Sequence, residues 1–446
     1  MPINEHSGGD GNGFYRVTPS KGTSGRIRVP GDKSISHRAV MMASLAKGTS
    51  EIRGFLPSSD CLGTLLAFSM MGVKTERISE HHVRVTSPGA QDLLEPQNIL
   101  DLGNSGTAVR LLLGILAGSS FHSILTGDES LRSRPMGRVT EPLSLMGARI
   151  DGVANGKRLP LAIRGTKLSP IRFQNEKKSA QVKSAILFAG LSAEGPTTVI
   201  ETVATRNHTE KMLPMFGATV VVGEKERTVY PGKLSPLDFT VPGDLSSAAF
   251  FMVLALITPK ADLTIEGVGL NPTRTAIIRI LQMMGGKIDA TPTSTDGEPV
   301  GTVHIQSSSL HGIDVPTELI PQAIDEIPVL AVAASFASGR TLIRNAAELR
   351  VKESDRIAAI CRALSSVGVS ISELPDGMSI EGDGPEPRIH GGEVDSHNDH
   401  RITMSMAVLG SRLPHGETLL IRGTDFVSTS FPNFVELFNR ISGQSG

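Results

Sequence analysis

What is scarce bounds this chain of 446 residues before any motif does. Its two cysteines, Cys61 and Cys361, lie far apart and without metal-ligand spacing. That excludes a disulfide framework and fits packed, reduced thiols in a cytoplasmic protein. Neither cysteine sits in a loop beside a base, which argues against a thiol nucleophile. Charge of one sign is lacking too: Lys plus Arg number 44, Asp plus Glu 45, and the net charge is -1. No overall basic field is available to hold nucleic acid or an anionic membrane, so any anion site must be local. No apolar run approaches the roughly 18 residues of a membrane span, and 39% hydrophobic residues fit a soluble, globular chain. No G-x-x-x-x-G-K-[ST] occurs, so an ATP-dependent P-loop enzyme is not expected. Residues 1–13 have neither a basic n-region nor an apolar core and read as a disordered tail rather than a targeting signal.

What is present is repetition. The stretch Gly31-Asp32-Lys33-Ser34-Ile35-Ser36-His37-Arg38 joins a glycine turn, capping residues (Asp32, Ser34 or Ser36) and two cations at a helix start. Alternating strands are expected at 14–17 and 25–29, with Pro30-Gly31 closing the second. A helix rich in small residues, a strand, a loop, a second helix, a glycine and a strand then recur. The second helices end at Gly72, Gly147, Gly217, Gly285 and Gly368, spaced as whole supersecondary units rather than solenoid rungs. The small-residue helices begin near Lys33, Gly106, Ala180, Ser246, Asp325 and Arg401. Gly243-Asp244-Leu245-Ser246 echoes Gly31-Asp32-Lys33-Ser34, with Leu245 in the place of Lys33. Two domains of three units follow: 31–242, and 243–446 joined by 1–30, with hinges near 30–32 and 241–243. Residues 291–301 read as a polar loop.

The helix starts and adjoining loops carry many anion-binding groups: Asn104-Ser105-Gly106-Thr107, Arg132 and Arg134, Lys178-Ser179-Ala180-Gln181, Arg206-Asn207-His208, Asp325-Glu326, Arg350 to Arg356, and Asp399-His400-Arg401. Cations outnumber acids there, so positive charge is expected to concentrate at one place. Each motif alone also reads as a helix cap or a solvated charge. Asp395, His397, Asp399 and His400 are too crowded for a good metal tetrahedron, and no metal is assigned.

Taken together, Gly31 to Arg38, Gly103-Asn104-Ser105-Gly106-Thr107-Ala108-Val109-Arg110, Arg134-Pro135-Met136-Gly137-Arg138, Ile324-Asp325-Glu326, Arg350 to Arg356 and Asp399-His400-Arg401 closely resemble the EPSP synthase family of enolpyruvyl transferases. The resemblance implies a two-domain, inside-out α/β barrel of six β-α-β-α-β-β units, three per domain, closing on substrates. It implies transfer of the enolpyruvyl group of phosphoenolpyruvate to the 5-hydroxyl of shikimate 3-phosphate, with no metal, no cofactor, no nucleic acid or membrane partner, a monomeric state, and competition by glyphosate. Lys33, Ser34, Arg38, Ser179, Ala180, Gln181, Arg206, Asp325 and Lys352 would contact shikimate 3-phosphate. Lys33, Asn104, Gly106, Arg134, Gln181, Arg356 and Arg401 would contact phosphoenolpyruvate. Asp325 is then the expected base, with Glu353 and Lys33 protonating the methylene carbon, a lysine crowded by cations being suited to proton transfer.

Two departures accompany the resemblance. Ser428-Thr429-Ser430-Phe431-Pro432 lacks the lysine that some members carry there, and Gly106 stands where others have alanine. The alternatives are a UDP-N-acetylglucosamine carboxyvinyltransferase-like enzyme, which typically has a reactive cysteine on the loop that here is 127–132, and a non-catalytic module for phosphorylated ligands.

Overall fold

The computed structural model describes residues 1–6, 13–176, 178–295 and 297–443. Contacts along the chain divide it into two units, Met1–Pro30 with Gly243–Gly446, and Gly31–Pro242.

The Gly31–Pro242 unit is built around the helices Lys33–Leu45, Gly106–Ala117 and Ala180–Gly190. The last two are apolar nearly all round, and a helix of that kind must be surrounded; the first is buried from Ile35 to Leu45 although it carries Ser36, His37, Arg38 and Ser44. Gly106–Ala117 leaves only Thr107 outside the core. Its packing on Ala180–Gly190 depends on Gly114, where a Cβ would fall 2.1 Å from the Ala185 carbonyl oxygen. In the other unit Leu245–Ile257, Ile327–Ser335 and His400–Gly410 take the same part, with every residue buried.

Among the described residues six sheets cover these helices, on one pattern: a parallel pair followed by two antiparallel strands. In the first, Phe239–Thr240 runs parallel to Gly48–Arg53, which pairs antiparallel with His82–Ser87, and that strand with Lys74–Ser79. Leu100–Asp101, His122–Thr126, Arg158–Arg164 and Arg149–Gly152 repeat the order, as do Arg172–Gln174, Thr197–Ile200, Glu226–Val229 and Val220–Val222. In the other unit Ser24–Ile27 supplies the parallel edge beside Asp262–Gly269, and Gly392–Asp395 that beside Leu419–Arg422. The sheet of Ser338–Ile343, Gly377–Asp383 and Ser370–Leu374 has single parallel bridges, His311 to Ser338 and Asp314 to Leu342, in place of the fourth strand. Helices inside and sheets outside make each unit an inside-out α/β arrangement of repeats.

The glycines that follow the second helices share one backbone state. Gly72, Gly147, Gly217, Gly285 and Gly368 have φ of 88°, 100°, 88°, 92° and 94°. This left-handed region costs glycine nothing and ends a helix cleanly.

Two expectations need correction. Residues 1–13 are not uniformly a tail, since Ile3–His6 is a strand antiparallel to Phe14–Val17 and completes the sheet of Leu419–Arg422. Asn439 brackets Ile3, its Oδ1 accepting from the Ile3 amide and its Nδ2 donating to the Ile3 carbonyl, both at 2.8 Å. Ile3 is buried there, which anchors a segment whose composition is polar. Residues 7–12 of that tail lie outside the described residues. The stretch 291–301 is ladder at both ends as well: Lys287–Ser294 and Val300–Gln306 pair antiparallel, with Thr291, Pro292 and Ser294 opposite Thr302, Gly301 and Val300 and a register shift between Pro292 and Ser294. The strand expected at 25–29 is Ser24–Ile27.

Candidate active site

In the Gly31–Pro242 unit the buried helices begin with side-chain caps. Asp32 accepts from the Ile35 amide, Ser105 from Ala108 and Ser179 from Val182. Of the cap candidates in the first motif, the structure uses Asp32; Ser36 instead accepts from the Leu56 amide at 3.1 Å. Around these helix starts Lys33 Nζ lies 2.9 Å from Asp60 Oδ2, on the first turn of Ser59–Met70. A carboxylate thus stands against Lys33, where the sequence leads one to expect cations alone.

Arg134 donates to the Asn104 carbonyl at 3.2 Å, to Asn104 Oδ1 at 2.6 Å and to Ser130 Oγ at 3.1 Å. Asn104 Nδ2 in turn donates to Asp128 at 2.7 Å. Gln181 accepts from Arg110 at 2.6 Å and donates to Thr107 Oγ1 at 3.0 Å. Gly106 sits between the two arginines: a Cβ on it would be 3.3 Å from a terminal nitrogen of each. Asn104, Gly106, Arg134 and Gln181 are therefore one neighbourhood.

Arg38 is buried. It donates to the Ser34 carbonyl at 2.9 Å, to Thr209 Oγ1 at 2.7 Å and to Ser184 Oγ at 2.8 Å. Arg206 lies on the loop that enters the His208–Met215 helix, one residue after Thr205. His37, fully buried on the same turn as Arg38, meets Thr64 Oγ1 at 2.7 Å and Ser105 Oγ at 3.3 Å. Burial pushes its imidazole down to about 3, and the Lys33 and Arg38 charges add to that.

In the other unit Arg356 is the centre. Its Nε is 2.7 Å from Asp399 Oδ2, one terminal nitrogen 3.2 Å from Asp325 Oδ1, and the other 2.5 Å from Glu353 Oε2. Burial alone would lower its pKa, but the Asp399, Glu353 and Asp325 charges outweigh burial and hold it above the usual arginine value. Asp325 also meets Lys352 Nζ at 3.3 Å, and its carbonyl accepts from Arg401 at 2.9 Å. Asp325 lies just before the Ile327–Ser335 helix rather than inside it. Lys352, Arg356 and Arg401 thus face Asp325, Glu326, Glu353 and Asp399, three cations against four carboxylates, so this set is not an excess of cations.

The structure brings together Asp325, Lys352, Glu353, Arg356 and Arg401 in one unit, and Asn104, Gly106, Arg134 and Gln181 in the other. Sequence reasoning missed Asp60, Arg110, Ser184 and Thr209 as supporting groups. Arg110 stands at the end of the Gly103 to Arg110 motif, but nothing local marks Gln181 as its acceptor. Among the described residues no three of His, Cys, Asp and Glu are arranged to share a metal ion, and no helix is long and apolar enough to cross a membrane.

A family profile described as EPSP synthase (3-phosphoshikimate 1-carboxyvinyltransferase) matches residues 17–438. The chain is 50% identical over 428 residues to the 3-phosphoshikimate 1-carboxyvinyltransferase of Desulforudis audaxviator, covering 96% of this chain and 99% of the relative. To that of Geobacter metallireducens it is 49% identical over 432 residues, 96% and 99% of the two chains. The EPSP synthase structure from Acinetobacter baumannii superposes with a TM-score of 0.85 at 45% identity, over 96% of this chain and 98% of that one. The enolpyruvyl transferase NikO from Streptomyces tendae shares the fold, with a TM-score of 0.78 at 15% identity over 97% of each chain.

Proposed function

Because this chain belongs to the EPSP synthase family, we propose that it transfers the 1-carboxyvinyl group of phosphoenolpyruvate to the 5-hydroxyl of shikimate 3-phosphate, releasing phosphate, within chorismate and aromatic amino-acid biosynthesis. The observation that carries this reading is the Asp325 carboxylate, 3.3 Å from Lys352 Nζ and 3.2 Å from an Arg356 nitrogen. It combines a proton acceptor with cations suited to phosphate and carboxylate.

In the proposed roles, Lys33, Ser34, Arg38, Ser179, Ala180, Gln181, Arg206, Asp325 and Lys352 serve shikimate 3-phosphate, and Lys33, Asn104, Gly106, Arg134, Gln181, Arg356 and Arg401 serve phosphoenolpyruvate. Asp325 takes the 5-hydroxyl proton as that oxygen bonds to the enol carbon, and Glu353 with Lys33 delivers a proton to the methylene carbon. The resulting methyl group then loses a proton, the double bond re-forms and the C–O bond to phosphate breaks. Atoms balance with the two substrates alone. The enzyme would act as a cytoplasmic monomer.

The loop at 127–132, where a UDP-N-acetylglucosamine carboxyvinyltransferase would offer a thiol, forms the short helix Glu129–Ser133 without cysteine. Both cysteines are buried. Burial pushes both thiols up, Cys361 to about 12, away from nucleophilic thiolate. These facts support oxygen acid–base chemistry over the thiol alternative. The experiment is phosphate release on mixing the protein with shikimate 3-phosphate and phosphoenolpyruvate. Release that requires both compounds is expected; release with UDP-N-acetylglucosamine in place of shikimate 3-phosphate, and none with the latter, would overturn the reading.

A further inference from the structure

Lys183 is fully buried on the Ala180–Gly190 helix, one turn after the residues at its start. Its ammonium lies 2.8 Å from Glu201 Oε2 and 2.6 Å from Glu210 Oε1, with both carboxylates equally withdrawn from solvent. Glu201 Oε1 also accepts from Thr205 Oγ1 at 2.5 Å, and Arg227 Nε stands 3.7 Å from Glu210. One cation and two carboxylates are thus sealed inside one unit, with the partly buried Arg227 at their edge. Taking such charges out of water is costly, and a buried ion pair is weak grounds for stability.

The placement of the group gives it a use. Glu201 directly follows the Thr197–Ile200 strand, and Glu210 is the third residue of the His208–Met215 helix. One lysine therefore grips both ends of the loop that carries Arg206, while Thr205, next to Arg206, is tied to the same carboxylate. Ser184, the residue after Lys183, receives hydrogen bonds from Arg38 at 2.8 Å and from Thr209 at 2.7 Å, and donates to the Ala180 carbonyl at 2.8 Å. Thr209 adjoins Glu210 and accepts from Arg38. Positions 183 and 184 of one helix thus fasten two neighbours of the loop, 209 and 210, and through them the arginine at 38.

We infer that Lys183 is a positioning residue: with Glu201 and Glu210 it holds the Arg206 loop and the Ser184–Thr209 bracket of Arg38 in the geometry that binds the phosphorylated hydroxy-acid substrate. It touches no substrate itself. The assignment of that substrate rests on the function proposed above.

Lys183→Met alone removes the one cation that faces both buried carboxylates and is expected to unfold at a markedly lower temperature. The informative protein is the triple variant Lys183→Met, Glu201→Gln, Glu210→Gln, which removes the three sealed charges together and leaves the partly exposed Arg227 to water. Thr205→Val, a milder change of similar shape, serves should the triple variant not fold. Three quantities are read on the full chain: hydrogen–deuterium exchange of the amides at 202–207, binding of shikimate 3-phosphate by calorimetry, and KM for phosphoenolpyruvate. Expected are faster exchange in the loop, shikimate 3-phosphate affinity weaker by about tenfold or more, and a phosphoenolpyruvate KM within about twofold of the parent. Unchanged exchange, unchanged affinity, or an equal loss for both substrates would overturn the positioning role. Should the parent protein not bind shikimate 3-phosphate at all, the proposed function fails, and loop exchange alone decides whether the clamp exists.

Discussion

Lys33 and Asp60 form an ion pair of 2.9 Å between the first turns of two different helices, with side-chain exposures of 17% and 7%. The pair aims the lysine that the proposed chemistry asks to bind both substrates and to deliver a proton. Asp60→Asn keeps the shape and removes the charge. We expect turnover to fall by about tenfold or more and the melting temperature to fall as well, since removing one partner of a pair this withdrawn from solvent leaves the Lys33 charge uncompensated. Steady-state kinetics and calorimetry on the same preparation check this; parental kinetics would make the pair incidental.

Asp325→Asn tests the base. Asparagine retains the size but accepts no proton, while Lys352, Arg401 and the other cations remain to hold phosphate. Turnover should drop by about 100-fold or more, and shikimate 3-phosphate binding should stay within about tenfold. A variant that turns over like the parent would reassign the base.

Gly106→Ala places a methyl 3.3 Å from nitrogens of both Arg110 and Arg134. That is close enough to make the guanidinium groups give way by a few tenths of an ångström. The longer glyphosate molecule should feel this more than the shorter enol acid does. Inhibition is expected to weaken by about tenfold, about 1.4 kcal/mol, with a smaller rise in the phosphoenolpyruvate KM. Equal losses, or a parent enzyme insensitive to glyphosate, would remove Gly106 as the discriminating contact.

His37 predicts a pH dependence of stability. Its native pKa of about 3 lies below the ordinary 6.5, so between those values the unfolded chain binds a proton that the folded chain refuses. The contribution is present above pH 6.5 and is lost as pH falls toward 3. Between pH 7 and pH 4.5 the loss from this group is about 2.5 kcal/mol. His37→Gln, which does not titrate, should flatten the urea-unfolding stability curve by about that amount relative to the parent over the same range. Parallel curves would mean that His37 takes up its proton in the folded chain as readily as in the unfolded one.

The repeating plan was legible because its signals are local. A left-handed residue after a helix needs only the glycine that occupies it, as at Gly72 and Gly217. A cap needs only a short polar side chain, as at Asp32, Ser105, Ser179 and Asp399. Helices of small apolar residues declare burial without naming a partner. The family motifs then brought most of the candidate site residues into view at once.

By itself, then, the sequence determined the kinds of element, their six-fold recurrence and the chemistry available at the helix starts, because propensity, capping and hydrophobic pattern act over a few residues. Only the tertiary structure decided the pairings. Asp60 meets Lys33 across 27 residues, Asp399 meets Arg356 across 43, and Asn439 secures Ile3 across 436. No local pattern links such residues, since each pairing exists only once two separately formed elements pack. In a desolvated interior the choice of partner, rather than the presence of a charge, sets whether that charge binds a ligand, holds a loop or steadies its neighbour.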